Sequence, residues 1–122
     1  MHLITRSFDN IPREHLGYTV YAISTSKPQK CRGIPVLWLF APTFEVQIEY
    51  NKTKDIDRFR ERMTSIMKQR SSAIEDWVKA NSGAKICLAS WGSVDTSHRR
   101  LVAEAIRQAA DKLGIAVTID IA

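Results

Sequence analysis

The order of patterns in the last third of the chain constrains the fold more than any other feature. Ile86 to Ala89 is a short apolar run of the kind a buried parallel strand shows. Trp91-Gly92-Ser93 breaks it. Asp95, Thr96 and Ser97 are then good N-cap residues, and after them Leu101, Val102, Ala105, Ile106, Ala109 and Leu113 recur at helical spacing. Gly114 stops that helix, and Ile115 to Ile121 makes a closing strand. Strand, helix and strand in this order imply a parallel pair joined by a right-handed crossover. Ile86–Ala89 is therefore expected inside the sheet, paired in parallel with Ala116–Ile119. The chain as a whole, 122 residues with no repeat or linker, reads as a small single α/β domain: a mainly parallel sheet flanked by helices.

The earlier segments fill in that plan. Leu3–Thr5 is a β-prone run, Phe8–Gly17 a loop or single helical turn, and Tyr18–Ser24 the clearest strand. Ser26–Pro35 carries two prolines, a glycine and three basic residues, so it is a loop. Val36–Phe40 fits a strand or a buried connection. Asp55–Arg70 is a helix with Ile56, Phe59, Met63, Ile66 and Met67 as its apolar stripe. Ser72 and Glu75 have capping-box spacing, so a second helix is expected from there to Ala80. Phe44 to Tyr50 is ambiguous. It alternates apolar and polar residues as a half-buried strand does, yet Pro42-Thr43 is a fair helix opening.

Three blocks resemble the family catalogued as domain of unknown function 488. They are Ser24-Thr25-Ser26-Lys27-Pro28 after an early strand, Ala41-Pro42-Thr43-Phe44-Glu45 running to Glu49-Tyr50, and Cys87 followed by Ser97-His98-Arg99-Arg100-Leu101-Val102-Ala103-Glu104. The resemblance implies an α/β fold and a helix over Pro42–Tyr50, against the alternation there. The chain departs from the family twice. Ala89-Ser90 stands where an acidic residue usually follows the strand cysteine, and Ser97 stands where cysteine usually precedes His-Arg. Thiol or metal chemistry using both cysteines is not implied.

Chemistry concentrates at the start of the last helix. His98, Arg99 and Arg100 sit in its first turn, where the helix dipole prefers acids. Basic side chains beside free backbone N–H groups make a place for an anion such as phosphate, with Ser97 alongside and Lys27 or Arg32 of the long loop as helpers. The plainer alternative has His98 packed and the arginines solvated or paired with Asp95 and Glu104. His98 is the candidate acid or base. Adjacent helical residues point about 100° apart, which separates Ser97 from His98 as a nucleophile pair. No dinucleotide or P-loop fingerprint occurs, the soft ligands are too few for a metal, and no cofactor is expected.

Eighteen basic residues against 13 acidic ones give a net charge of +5, which suits an anionic partner. Two candidate functions follow. One is an enzyme of hydrolase or transferase type acting on a nucleotide or nucleic acid. The other is a non-catalytic basic module, such as a phage or mobile-element accessory protein that binds nucleic acid or inhibits a partner protein. No membrane span or signal-peptide pattern is evident, and two cysteines, Cys31 and Cys87, do not make a disulfide framework. A cytoplasmic setting is expected, with Cys87 buried and Cys31 comparatively exposed.

Overall fold

Alternation along the strands decides how the layers stack. The computed structural model describes residues 1–122 and contains four parallel strands: β1 (His2–Ser7), β2 (Thr19–Ala22), β3 (Lys85–Ser90) and β4 (Thr118–Ile121), in the order β2-β3-β1-β4. Leu3, Ile86 and Ile119 lie opposite one another in register, so they share one face with Leu88 and Ile23. That face carries the main core. Its other members come from α1 (Phe44–Thr53), α2 (Ile56–Gln69), α3 (Ser71–Ala80) and α4 (Arg99–Leu113). The opposite face holds Ala22 and Ala89, which pack with Phe8 and Cys31 from the loops.

Handedness explains this asymmetry. The connections β2 to β3 and β3 to β4 both step the same way across the sheet, so right-handed crossovers put all four helices on one side. The step from β1 back past β3 to β2 runs the other way, and its loop covers the second face. Adjacent β1 and β3 thus send their chains to opposite sides of the sheet. In open parallel sheets that divergence, at the carboxyl ends of the strands, is where a crevice forms.

The helices follow the sequence closely, with instructive exceptions. Asp55 caps α2 by accepting the Arg58 N–H, and Phe59, Met63, Ile66 and Met67 are all buried. Thr43 caps α1 by accepting the Val46 N–H, so Pro42–Tyr50 is indeed mostly helical. The misleading alternation has a physical origin. Val46 is buried, whereas Phe44 and Ile48 are 65% and 53% exposed, so α1 bears two apolar stripes on opposite sides instead of one. Trp38 lies beside Phe44, their rings 5.7 Å apart.

Three expectations need correcting. Ile86–Ala89 does not pair with Ala116–Ile119, because β1 lies between β3 and β4 and takes both sets of hydrogen bonds. Cys31 is only 5% exposed: its loop folds back with Ile34 and Val36 over the second face of the sheet. Val36 contributes a single parallel bridge to Ala22 before a 3-10 turn at Trp38–Phe40. Ser72 and Glu75 form no capping box. α3 begins directly behind α2 at Arg70, whose carbonyl already accepts the Ile74 N–H. Arg70 instead fastens the preceding loop, its Nη1 donating to the Trp38, Leu39 and Ala41 carbonyls at 3.0, 2.9 and 2.9 Å.

The two stripes of α1 should be separable by mutation. Val46→Ser leaves a void and a hydroxyl in the core and should cost well over 1 kcal/mol, whereas Ile48→Ser on the outer stripe should change stability by about 0.5 kcal/mol or less. Urea unfolding of both variants measures this. Equal losses would mean that the outer stripe is packed after all.

Candidate functional site

The carboxyl ends of β3 and β4 are tied together by a single residue. Arg99 is the bulkiest fully buried side chain of the protein, 1% exposed. Its Nε donates to the Ala122 carbonyl at 2.8 Å, Nη1 to Ser90 Oγ at 2.8 Å and to the Trp91 carbonyl at 3.3 Å, and Nη2 to the Gly92 carbonyl at 3.1 Å. Burial lowers its pKa from the ordinary arginine value. A planar five-donor fork suits this cluster of strand-end carbonyls, which would otherwise lose their partners where the sheet stops.

Ser97 is buried beside it and also works internally. Its Oγ accepts the Arg99 backbone N–H at 3.1 Å and lies 2.7 Å from Ser90 Oγ. His98, the residue preceding the first turn of α4, is 4% exposed. Its Nε2 lies 2.7 Å from the Ile23 carbonyl and 3.1 Å from that of Phe40. Both partners are acceptors, so Nε2 carries the proton and the ring joins α4 to the end of β2 and to the Trp38–Phe40 turn. Phe59 meets the imidazole edge-on at 5.9 Å. Burial, with a smaller push from Arg99, drives the imidazole from 6.5 to about 4, against the opposing pull of the two carbonyls. His98 is neutral at physiological pH.

The sequence-predicted residues therefore divide. Ser97, His98 and Arg99 come together, but their polar atoms face inward and hold the carboxyl end of the sheet. Arg100 is exposed, and its guanidinium makes no hydrogen bond or ion pair. Lys27 staples its own loop, donating to the Arg32 and Ile34 carbonyls at 3.0 and 2.6 Å, while the Arg32 side chain is exposed and unpaired. Cys87 is buried, and its thiol is pushed up to about 11, chiefly by burial, with Arg6 pulling the other way; it is neither thiolate nor nucleophile at neutral pH. No three His, Cys, Asp or Glu side chains gather as a metal site.

At the opening of α4 the hydrogen-bond inventory is donor-rich. Ser97 and His98 take the Arg99 and Val102 N–H groups, but those of Arg100 and Leu101 have no protein acceptor. No acid occupies the first turn of α4 or of α3, whereas α1 and α2 carry Glu45 and Asp57 there. Arg60 of α2 also reaches the β3–α4 loop and donates to the Asp95 carbonyl. The one opposing charge on that loop is the exposed Asp95 carboxylate.

Two contributors were missed from sequence: Arg60, whose register on α2 says nothing of the loop above it, and Trp91. The latter is 48% exposed, donates from Nε1 to the Ser26 carbonyl and Oγ at 3.0 and 3.1 Å, and meets Phe8 edge-on at 5.3 Å. A tryptophan immediately before glycine at the end of an apolar strand was the available signal. Two hollows lie elsewhere. A groove of about 330 Å³ between α2, α3 and α4 is bridged by the Lys112–Glu75 ion pair, and a cleft of about 490 Å³ between α1 and α2 has its arginines committed to Glu45 and Glu49.

Fold and site together define a one-domain α/β protein with an all-parallel sheet whose carboxyl end is closed by a buried arginine. No helix is long and apolar enough to cross a membrane. No family model, curated protein or solved structure matches the chain.

The neutral His98 makes a testable pH dependence. Its folded pKa is depressed, so the stabilisation it contributes is complete above the unfolded value near 6.5 and is lost as pH falls toward about 4. Over that window the unfolded chain gains a proton that the folded one refuses, a loss of roughly 3 kcal/mol at most. Urea midpoints at pH 7 and pH 4.5 should show it, and His98→Gln should flatten the dependence while being less stable at pH 7. An unchanged slope in that variant would assign acid sensitivity to other groups.

Proposed function

We propose that the protein binds an anionic, phosphate-bearing ligand, a nucleotide or nucleic acid, where the β3–α4 turn opens α4. The observation that carries this reading is the donor-rich helix start: two backbone N–H groups without acceptors, no acid in the first turn, and the unpaired Arg100 beside them. Arg60 adds positive charge from α2, where it reaches the β3–α4 loop. The net charge of +5 supports an anionic partner. In this reading Arg99 is a positioning residue that holds the turn, and Arg100 is the residue that meets the ligand.

Binding is favoured over hydrolase or transferase chemistry by the state of His98, whose protonated nitrogen is committed to two backbone carbonyls. A non-catalytic basic module is thus the better-supported of the two candidate functions. Membership of the family catalogued as domain of unknown function 488 is part of the same proposal. It is supported by the Ala41–Glu45 segment opening α1 and by the His98-Arg99 pair opening α4 beside the cysteine-bearing β3. A cytoplasmic setting fits two buried, unpaired cysteines.

Inorganic phosphate should raise the thermal midpoint of the wild-type protein by preferential binding to the folded state. Arg100→Glu should abolish that protection, while Lys52→Glu, at the exposed end of α1, should keep it. Arg99→Glu is not a usable test, since it would leave a buried charge against carbonyl oxygens and unfold the site. Equal protection in the Arg100 and Lys52 variants would place anion binding elsewhere on the molecule.

A further inference from the structure

The outer side of α1 carries a second apolar stripe that no other element covers. Phe44 and Ile48, one turn apart, point within about 40° of each other around the helix. They face away from Val46, which is buried on the opposite side. Trp38 of the preceding 3-10 turn leans on Phe44 and extends the stripe. Of the six large apolar side chains exposed on the molecule these three are the most exposed, each more than half open to solvent, and they are gathered in one place. Together they leave on the order of 300 Å² of apolar surface, the size at which a patch on a monomer marks an interaction site. The stripe is also held rigidly, by the Thr43 cap at the start of α1 and by Arg70 on the carbonyls of the Trp38 turn.

The charges beside the stripe indicate its occupant. Glu45 and Lys52 are seven residues apart, so they lie within about 20° of each other around α1, on one flank of the stripe and at its two ends. Both are available. Glu45 reaches Arg62 only at 3.4 Å and its side chain is 82% exposed, while Arg62 is already held by Glu49. Lys52 is exposed and has no ion-pair partner in the chain. The flank therefore carries an acid at its amino-terminal end and a base at its carboxyl-terminal end. A second α1 running antiparallel, about a twofold axis at Ile48, presents that flank reversed. Lys52 of each copy then faces Glu45 of the other, and the two Ile48 side chains meet at the axis. A parallel copy would set like charges together at both ends, and a uniformly acidic partner would set one against Glu45.

We propose that the outer stripe of α1 is a self-complementary dimer surface, on which α1 of a second copy packs antiparallel. The proposal does not rest on the anion-binding reading. Its apolar centre is smaller than the roughly 800 Å² per partner of a standard interface, so the dimer is reversible, with a Kd of about 1–100 µM. Sedimentation velocity over a concentration series spanning that range should show monomer giving way to dimer. Ile48→Glu, which sets two carboxylates together at the axis, should stay monomeric throughout, with a urea midpoint in dilute solution close to that of the wild type. Lys52→Glu and Glu45→Lys should each weaken self-association about tenfold, because each sets like charges together twice. Mixed in equal amounts, with one of them dye-labelled, these two variants should form a heterodimer of wild-type affinity, since each restores the other's ion pairs.

A wild-type protein that stays monomeric to the top of the series would overturn the proposal. Growth into species larger than a dimer would do the same, because a twofold pairing closes on itself. A dimer that survives Ile48→Glu would have its interface elsewhere. Trp38→Ser tests the same stripe from outside the helix, so a loss of folding in one variant leaves the other to decide: it should weaken the dimer, and an unchanged dimer would again place the interface elsewhere. A mixture of the Lys52→Glu and Glu45→Lys variants that associates no more strongly than either alone would overturn the antiparallel pairing.

Discussion

The arrangement of the carboxyl end of the sheet depends on one buried guanidinium. Parallel strands end with carbonyl groups that the ladder no longer satisfies, and here three segments end close together: β3, the turn after it, and the residue following β4. Arg99 supplies donors to all of them from the first turn of α4. Leaving such carbonyls buried and unpaired would cost about 1–3 kcal/mol each, so a single side chain offsets a penalty comparable to the net stability of a small domain. The charge itself is tolerated because every side of it meets oxygen. A lysine there would keep the charge and lose the fork geometry.

This resolves the oddity of a basic helix start. Simple dipole reasoning disfavours Arg99 at that place. The cost is offset by carbonyl oxygens instead of by a ligand, and the side chain turns away from the helix opening. His98 behaves similarly, neutral and donating to two carbonyls. Only Arg100, next in sequence, is left facing solvent. Three adjacent basic residues thus have two different occupations, and the boundary between them runs through a dipeptide.

How much of this was legible in the sequence follows from what each signal encodes. Apolar periodicity located α2 and α4 because each buries a stripe against one core, and the α/β class followed from strand–helix–strand order. α1, with apolar residues on opposite sides, reads by period as a strand and was placed as a helix only by the family resemblance. Strand neighbours were not legible. That β1 separates β3 from β4 depends on which strands find each other across the chain, and local pattern carries nothing of it. Cys31 was misjudged because a loop rich in Lys, Arg, Gly and Pro still folds its few apolar residues over Ala22 and Ala89. In the candidate site, position was legible and orientation was not: the sequence marks Ser97 to Arg100, but burial alone decides which of them face inward.

The strand order also governs how the chain must assemble. β1, the first of the four strands in chain order, is an interior strand of the finished sheet, and its two neighbours are β3 and β4, the third and fourth. No pair of strands is joined by a hairpin, so every ladder closes a long loop before any of it is rewarded. During vectorial synthesis the amino-terminal strand has no partner until most of the chain has left the ribosome, and β2, α1 and α2 emerge without the sheet that orders them. A topology of this kind favours late, collective folding, because no ladder can close until β3 has joined β1 or β2 across more than sixty residues of chain.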